Sequence, residues 1–242
     1  MCIRDSTSPK RHTNKNIGQC STSTNSRKCR GANKLTNYYG CLLYTSITDC
    51  DHCFTKDNLG TGYVKYMADG NDNRFSLING GVDGFTLSRI ERKWQRTWKG
   101  QCFNTVFLLG GINDIGDIMA HGNTETAAAS ILADASEAFC SLLRGLITSG
   151  CHRIVVVEPF LFSVPEELLT WRPRLNSLCQ LLRARTAQMQ ADFPAVSLSC
   201  ISMQERFDTA AEKGDTRSMT VDGIHLTKRG HRMLAEILLT YL

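Results

Sequence analysis

Short apolar runs rich in β-branched and aromatic residues alternate with longer helical segments along this chain from about residue 41 onward. This alternation is typical of a parallel sheet covered on both faces, because parallel strands need long crossover connections. We therefore predict a single α/β domain. The predicted strands are Cys41–Ser46, Phe75–Asn79, Phe103–Gly110, Arg153–Glu158 and Val196–Ile201. The predicted helical segments are Leu87–Trp98, Glu125–Thr148, Glu166–Ala191 and Lys228–Tyr241.

Basic residues are concentrated in the first 40 positions, which hold eight Lys and Arg and one acid, Asp5. Residues 41–242 hold 20 bases and 22 acids. The formal net charge of +5 therefore belongs to the N-terminal segment and indicates no phosphate-binding surface on the folded part, so we expect no nucleic-acid partner. Binding of nucleic acid or anionic lipid by the N-terminal segment alone is the alternative.

The same 40 residues are dominated by Ser, Thr, Asn, Lys and Arg and have almost no periodic apolar positions. Such a segment cannot bury enough surface to offset its chain entropy. We predict a disordered basic tail over residues 1–40 and a folded α/β domain over 41–242. Segments 1–6 and 41–46 also resemble translated sequencing adapter, which leaves a non-native origin of the tail open.

The chain has no run near the roughly eighteen apolar residues of a membrane helix, and its N-terminus lacks the apolar core of a signal peptide. We expect a cytoplasmic protein without a membrane span. The eleven cysteines stand at scattered spacings, which favours reduced thiols over disulfides. Cys50 and Cys53 have the spacing of half a zinc site, but no second pair follows at a suitable distance. We expect neither a metal nor another cofactor.

Residues suited to acyl transfer follow the predicted strands, and the loops after parallel strands form the ligand site of an open α/β sheet. Ser46 ends the first strand, Gly84 lies in the loop after the second, and Asn113 follows the third. Asp222 and His225 stand three residues apart before the last helix. Each also has an ordinary structural explanation, as a strand-end hydroxyl, a turn residue, a helix cap or a structural histidine.

Together these residues supply what acyl transfer requires: a hydroxyl nucleophile, a histidine base oriented by a carboxylate, and donors for the developing oxyanion. Asp222 can contact Nδ1 of His225 and leave Nε2 facing Ser46. Ser46 and His225 are 179 residues apart in sequence, so only a fold that gathers strand ends can join them.

Four blocks in this order resemble the SGNH (GDSL-type) hydrolase family. They are Ser46-Ile47-Thr48-Asp49-Cys50, Asn79-x-Gly81-x-x-Gly84-x-Thr86, Gly111-x-Asn113-Asp114 and Asp222-x-x-His225. Supporting matches to the carbohydrate-esterase and lysophospholipase-like branch are Gly60-Thr61-Gly62-Tyr63-Val64, Glu158-Pro159-Phe160 and Trp171-Arg172-x-x-Leu175. The resemblance covers roughly residues 44–242. It implies a three-layer α/β/α sandwich with a five-stranded parallel sheet of the flavodoxin-like type.

The resemblance also implies roles for the site residues. Ser46 is the implied nucleophile, and His225 is the base oriented by Asp222. The implied oxyanion hole consists of the backbone N–H groups of Ser46 and Gly84 and the side-chain amide of Asn113. We expect an esterase that acts on a small-molecule or carbohydrate ester with a short acyl group such as acetyl. Lysophospholipase or thioesterase activity is the alternative within the same family.

The chain departs from the family pattern immediately before the serine. The family has Gly-Asp at the positions of Tyr44 and Thr45. The missing glycine removes backbone freedom at a sharp turn, and the missing aspartate removes a side chain expected to hold that turn. Displacing a reacting group by about 1 Å can cost a hundredfold in rate. A catalytically impaired binding protein is therefore the second hypothesis.

Overall fold

In the computed structural model of this protein, residues 38–41, 51–71, 74–212 and 216–242 are described. The strands are β1 (Tyr38–Cys41), β2 (Ser76–Asn79), β3 (Thr105–Leu109), β4 (Arg153–Val157) and β5 (Ser197–Ile201). They form one parallel sheet in the order β2-β1-β3-β4-β5. The α-helices of the described part are α1 (Tyr63–Gly70), α2 (Leu87–Thr97), α3 (Ile112–Ala120), α4 (Glu125–Thr148), α5 (Arg172–Asp192), α6 (Gln204–Glu212) and α7 (Lys228–Leu239). All of the described residues belong to one unit, Thr36–Leu242.

The central strand β3 is buried along its whole length because helices cover both faces of the sheet. Val106 and Leu108 point into a core that contains residues of α2 to α5. Phe107 and Leu109 point into a second core that contains residues of α1, α6 and α7. Successive side chains of a strand point to opposite faces, so a strand buried on both sides is a continuous apolar run. The three-layer α/β/α architecture expected from the sequence is confirmed.

Helix α4 is by length and composition the one described helix that could cross a membrane. Its buried side chains, which include Phe139, Leu142 and Leu146, lie in the first core, and the helix packs against α2 and α5. A core helix of an α/β sandwich passes the same test of length and hydropathy. The helix is therefore weak evidence for a membrane span.

Strands β2 to β5 coincide with the predicted strands to within two residues at each end. The first predicted strand, Cys41–Ser46, began too late, because β1 covers Tyr38–Cys41 in the described part of the chain and shares only Cys41 with the prediction. Residues 42–46 of that prediction lie outside the described residues. Tyr38 and Tyr39 favour strand geometry as aromatic residues, but their polar neighbours hid this preference. The predicted tail boundary at residue 40 therefore falls inside β1, while the predicted tail over residues 1–37 lies outside the described residues.

The helix α4 has the predicted bounds, but the predicted helix Glu166–Ala191 is two elements. A 3-10 helix covers Glu166–Trp171, and α5 begins at Arg172. Pro173 explains the break, because a proline lacks the N–H donor that a helix interior needs and is tolerated in the first turn. The helices α1, α3 and α6 were not predicted, since eight or nine residues give too few turns for a clear apolar period.

The strand order brings β1 and β3 side by side. Helix α1 leaves this pair toward one core, and α3 and α4 leave it toward the other. Such a reversal is the topological switch point of an open α/β sheet, where ligands bind beyond the carboxyl ends of the strands. The loop after β3 begins at Gly110, and Ser46 follows the last residue of β1, Cys41, by five positions.

Candidate active site

Asp222 and His225 are joined by a hydrogen bond between Oδ2 and Nδ1, which are 2.6 Å apart. The other carboxylate oxygen, Oδ1, accepts the backbone N–H of His225 at 2.8 Å and that of Ile224 at 3.0 Å. Aspartate favours such turns because its short side chain reaches backbone groups two and three residues ahead. Three donors therefore hold the carboxylate, and the carboxylate sets the orientation of the imidazole.

The protonation state of this pair follows from the hydrogen bonds. Burial raises the pKa of Asp222, but the N–H and ring of His225 and the N–H of Ile224 together bring that pKa below its usual value. The carboxylate is therefore ionised at neutral pH and can only accept hydrogen bonds. An ionised carboxylate favours the tautomer of His225 with the proton on Nδ1, in which Nε2 is the basic nitrogen. A general base needs this arrangement.

The loop of Asp222 and His225 is held against the segment that follows β4. Thr220 and Leu226 form an antiparallel bridge that closes the loop. The backbone N–H of Phe162 donates to the carbonyl of Gly223 at 2.8 Å. Gly223 has a φ of +94°, and a Cβ there would lie 2.5 Å from the carbonyl oxygen of Val164. The pair therefore lies at the carboxyl edge of the sheet.

Asn113 lies in the first turn of α3, and its Nδ2 donates to the carbonyl of Phe85 at 2.9 Å. Phe85 follows Gly84, whose φ of +69° belongs to the left-handed region that glycine adopts without strain. A side-chain amide has two N–H donors, so this bond leaves one for a ligand. The loop after β2 and the start of α3 are thereby joined where two oxyanion donors were predicted.

Asp114 makes a second connection between the same elements. Its carboxylate is 2 % exposed and accepts the backbone N–H of Leu87, the first residue of α2, at 3.0 and 3.3 Å. Burial raises the pKa of Asp114 to about 7, although the N–H groups of Leu87 and of Asp114 itself favour the charged form. Together with the Asn113 bond, this contact holds the Gly84 loop in a defined position relative to Asn113.

The structure thus brings four of the predicted site residues together as two pairs. Asp222 contacts His225, and Asn113 contacts the loop that carries Gly84. Ser46 lies outside the described residues, and its role stays a prediction.

Three groups that hold these pairs were missed by the sequence analysis: the N–H of Phe162, the carbonyl of Phe85 and the hydroxyl of Thr220. Thr220 accepts the N–H of Gly223 and donates to the carbonyl of His225, both at 2.8 Å. Two of the three groups are backbone atoms, which leave no signal in residue identity. Only the position of Thr220, two residues before Asp222, offered a clue.

A second histidine, His231, lies near this site and caps a helix. Its Nδ1 accepts the backbone N–H of Tyr63, the first residue of α1, at 3.2 Å. The two rings are stacked with centroids 6.2 Å apart. Burial, and to a lesser degree the nearby His225, lower the pKa of His231 to about 4. The neutral ring therefore satisfies one of the N–H groups that a helix N-terminus leaves without an intrahelical partner.

Replacing His231 with asparagine is expected to remove a pH dependence of stability between pH 6.5 and 4. The pKa of this histidine is 6.5 in the unfolded chain and about 4 in the folded one, so the unfolded state takes up the proton first as the pH falls. The stabilisation is complete above pH 6.5 and is lost toward pH 4, by about 3 kcal/mol in total. Asparagine keeps an acceptor for Tyr63 and does not titrate.

Urea unfolding of both proteins at several pH values from 7 to 4 measures this effect. The titration of Asp114 contributes to both curves and cancels in their difference. A difference in the free energy of unfolding that stays constant over this pH range would contradict the assigned cause.

The described residues contain no group of three or more His, Cys, Asp or Glu side chains placed to hold a metal ion. Cys50 of the half zinc motif lies outside them, and Cys53 is an exposed free thiol. A cavity of about 780 Å³ lies between α4 and α5. None of the predicted site residues lines it, so the site is not identified by cavity size.

Comparison with known proteins identifies a matching family and several solved structures with a similar fold. A model of the GDSL-like lipase/acylhydrolase family matches residues 45–233. No curated protein matches the chain in sequence. A catalytic mutant of an acetylxylan esterase from Geobacillus stearothermophilus has a TM-score of 0.68 and 19% identity, over 86% of this chain and 95% of that chain.

Two further solved structures are similar to the same degree. An alpha/beta hydrolase enzyme from the metagenome of Lake Arreo in Spain has a TM-score of 0.67 and 19% identity, over 85% of this chain and 94% of that chain. A candidate GDSL-like lipase from Parabacteroides merdae has a TM-score of 0.65 and 20% identity, over 86% and 96%. At these identities the three structures establish a shared fold.

Proposed function

Because this chain belongs to the GDSL-like lipase/acylhydrolase family and is thus a GDSL-type esterase, we propose that it cleaves esters through an acyl-enzyme formed on Ser46. The observation that carries the proposal is the 2.6 Å contact between Asp222 and His225. The ionised carboxylate fixes the tautomer in which Nε2 is the base. A histidine held in this way is the part of the machinery that activates a serine hydroxyl.

Topology supports Ser46 as the nucleophile. Ser46 follows β1, the strand between β2 and β3, and these neighbours are followed by the Gly84 loop and by Asn113. In the proposed reaction, Nε2 of His225 takes the hydroxyl proton while Oγ attacks the ester carbonyl. The protonated ring then gives this proton to the leaving alcohol. Water, activated by the same nitrogen, releases the acid and restores the serine.

Stabilisation of the oxyanion is assigned to Asn113 and to the backbone N–H groups of Gly84 and Ser46. The remaining N–H of the Asn113 amide and the positive-φ glycine support this assignment. Donors held in place before the reaction need no reorganisation when charge develops on the carbonyl oxygen. The Asp114 contact with Leu87 serves the same end, because it holds the Gly84 loop to α3.

For the substrate we propose a short acyl ester, such as an acetyl group on a carbohydrate. The structural neighbours that are acetylxylan esterases favour this choice. The neighbour described as a GDSL-like lipase keeps longer acyl chains as the second candidate. Hydrolysis rates on a series of acyl chain lengths distinguish the two.

The test is hydrolysis of p-nitrophenyl acetate and longer p-nitrophenyl esters by two forms of the protein. One is the chain as it stands, and the other carries Tyr44→Gly and Thr45→Asp. Each form is paired with its Ser46→Ala variant as a matched control. Turnover that is lost with Ser46 is expected, and it is expected to be faster in the form with Gly-Asp.

The opposite outcome is equally informative. If the folded Gly-Asp form shows no turnover that depends on Ser46 with any ester, the assignment of Ser46, Asp222 and His225 fails. The protein is then a binding protein with the hydrolase fold.

A further inference from the structure

Four basic side chains line a cavity of about 250 Å³ beside helix α2: Arg89, Arg92, Lys93 and Arg96. Phe85 and Thr97 complete its lining, and these six residues are called the basic pocket below. The other three bases follow Arg89 by three, four and seven residues, so all four share one face of the helix. Arg89, Arg92 and Arg96 are exposed, while Lys93 is half-buried.

The basic pocket adjoins the predicted oxyanion loop. Nη1 of Arg89 donates to the carbonyl of Gly84 at 3.3 Å, and Nζ of Lys93 donates to the carbonyl of Gly80 at 3.2 Å. Phe85 belongs to the wall of the pocket, and its carbonyl accepts the amide of Asn113. A group bound in the pocket therefore lies against the same residue, Phe85, that the Asn113 amide contacts.

The three arginines of this pocket are not paired with carboxylates in the described part of the chain. No described carboxylate forms an ion pair with Arg89, Arg92 or Arg96. Like charges three and four residues apart on a helix repel one another. Glu91 lies on the same helix, but its carboxylate accepts hydrogen bonds from Gln95 and Ser141. The pocket is thus a local positive site on a domain whose residues 41–242 carry more acids than bases.

We propose that the basic pocket binds a negatively charged group on the alcohol portion of the ester, so that the preferred substrates are acetyl esters of acidic compounds. This inference rests on the proposed function. The planar guanidinium group matches the two oxygens of a carboxylate or phosphate, and paired arginines reinforce each other in holding it. The ring of Phe85 offers an apolar surface for the carbon skeleton beside the charge.

The experiment compares acetyl esters that differ in charge. The substrates are acetylated methyl glucoside, acetylated methyl glucuronoside and acetylated glucose 6-phosphate, which distinguish a neutral sugar, a carboxylate and a phosphate. A higher kcat/KM is expected for at least one charged ester than for the neutral one. This preference is expected to shrink as salt is raised from 0.01 M, because the Debye length falls to about 10 Å at 0.1 M.

The double variant Arg92→Gln/Arg96→Gln tests the pocket directly. The ratio of kcat/KM for the preferred charged ester to that for the neutral ester is expected to fall about tenfold or more, since hydrogen bonds between charged groups are lost. Arg206→Gln is the matched control, because it removes the same charge from α6 on the opposite face of the sheet. A ratio near one in the parent protein, or one unchanged in the double variant, would overturn the proposal.

Binding to the Ser46→Ala variant separates this proposal from the proposed function. Calorimetry is expected to show tighter binding of the charged ester than of acetylated methyl glucoside, and weaker binding of it after Arg92→Gln/Arg96→Gln. Such binding without any Ser46-dependent hydrolysis would leave the pocket standing and reject the esterase mechanism. Ser46-dependent hydrolysis with no charge preference in rate or binding would support the esterase mechanism and reject the proposed role of the basic pocket.

Discussion

Replacing His225 with alanine is expected to lower kcat for p-nitrophenyl acetate by about 10⁴-fold or more in the form of the protein that turns over esters. Without Nε2, no group accepts the proton of the Ser46 hydroxyl, and the hydroxyl is a poor nucleophile while protonated. The loss is expected in kcat and not in KM, because the imidazole acts on the serine and adds little to substrate binding. Steady-state kinetics on the purified variant measure both constants.

Two companion variants identify the cause of such a loss. Asp222→Asn places an amide against Nδ1 of His225 and favours the wrong tautomer, so a loss of about 10⁴-fold in kcat is expected with the ring still present. His152→Ala is the control, since His152 is exposed and precedes β4 at the amino edge of the sheet. A His225→Ala variant that stays folded and keeps kcat within tenfold of its parent would reject the triad.

Replacing Asn113 with alanine is expected to lower kcat by about 10² to 10³-fold, or about 3 kcal/mol of transition-state stabilisation, with little change in KM. The amide donor acts on the charge that develops on the carbonyl oxygen, so its loss affects the transition state more than the bound ester. The rate constants are measured on p-nitrophenyl acetate, alongside urea unfolding of the same variant.

The second readout is needed because the Asn113 amide also holds the carbonyl of Phe85. Asp114→Asn serves as a comparison. Asp114 supports the same loop by accepting the N–H of Leu87 at the start of α2, and no donor role is predicted for it. A much smaller loss of kcat is expected for Asp114→Asn than for Asn113→Ala. Equal losses in the two variants would indicate that Asn113 acts through loop position alone.

The elements most accurately predicted from sequence are those with the strongest local signals. The apolar run at β3 was predicted to within two residues and the amphipathic helix α4 to the residue, because burial on two faces or along one stripe gives a recognisable pattern. The start of β1 was missed, since four residues with a glycine among them give no repeating pattern. The division of Glu166–Asp192 at Arg172 depended on one proline in the first turn.

Within the candidate site, the contact between Asp222 and His225 could be predicted from the sequence, whereas the contacts of the groups around them could not. The pair is three residues apart, and the short reach of an aspartate side chain makes their contact a local property. The contact of His231 with Tyr63 joins residues 168 apart in sequence. No pattern along the chain reports such a contact, because it arises only when α1 and α7 pack together.

The sequence by itself determined the fold class, the order of the strands along the chain and the residue types for acyl transfer. These depend on local periodicity and on side-chain chemistry, which each segment carries with it. Only the tertiary structure decided that Phe162 holds the Gly223 loop at the sheet edge, and that four bases of α2 surround a cavity beside Gly84. These contacts join segments distant in sequence, and their geometry is set by how the helices and strands pack against one another.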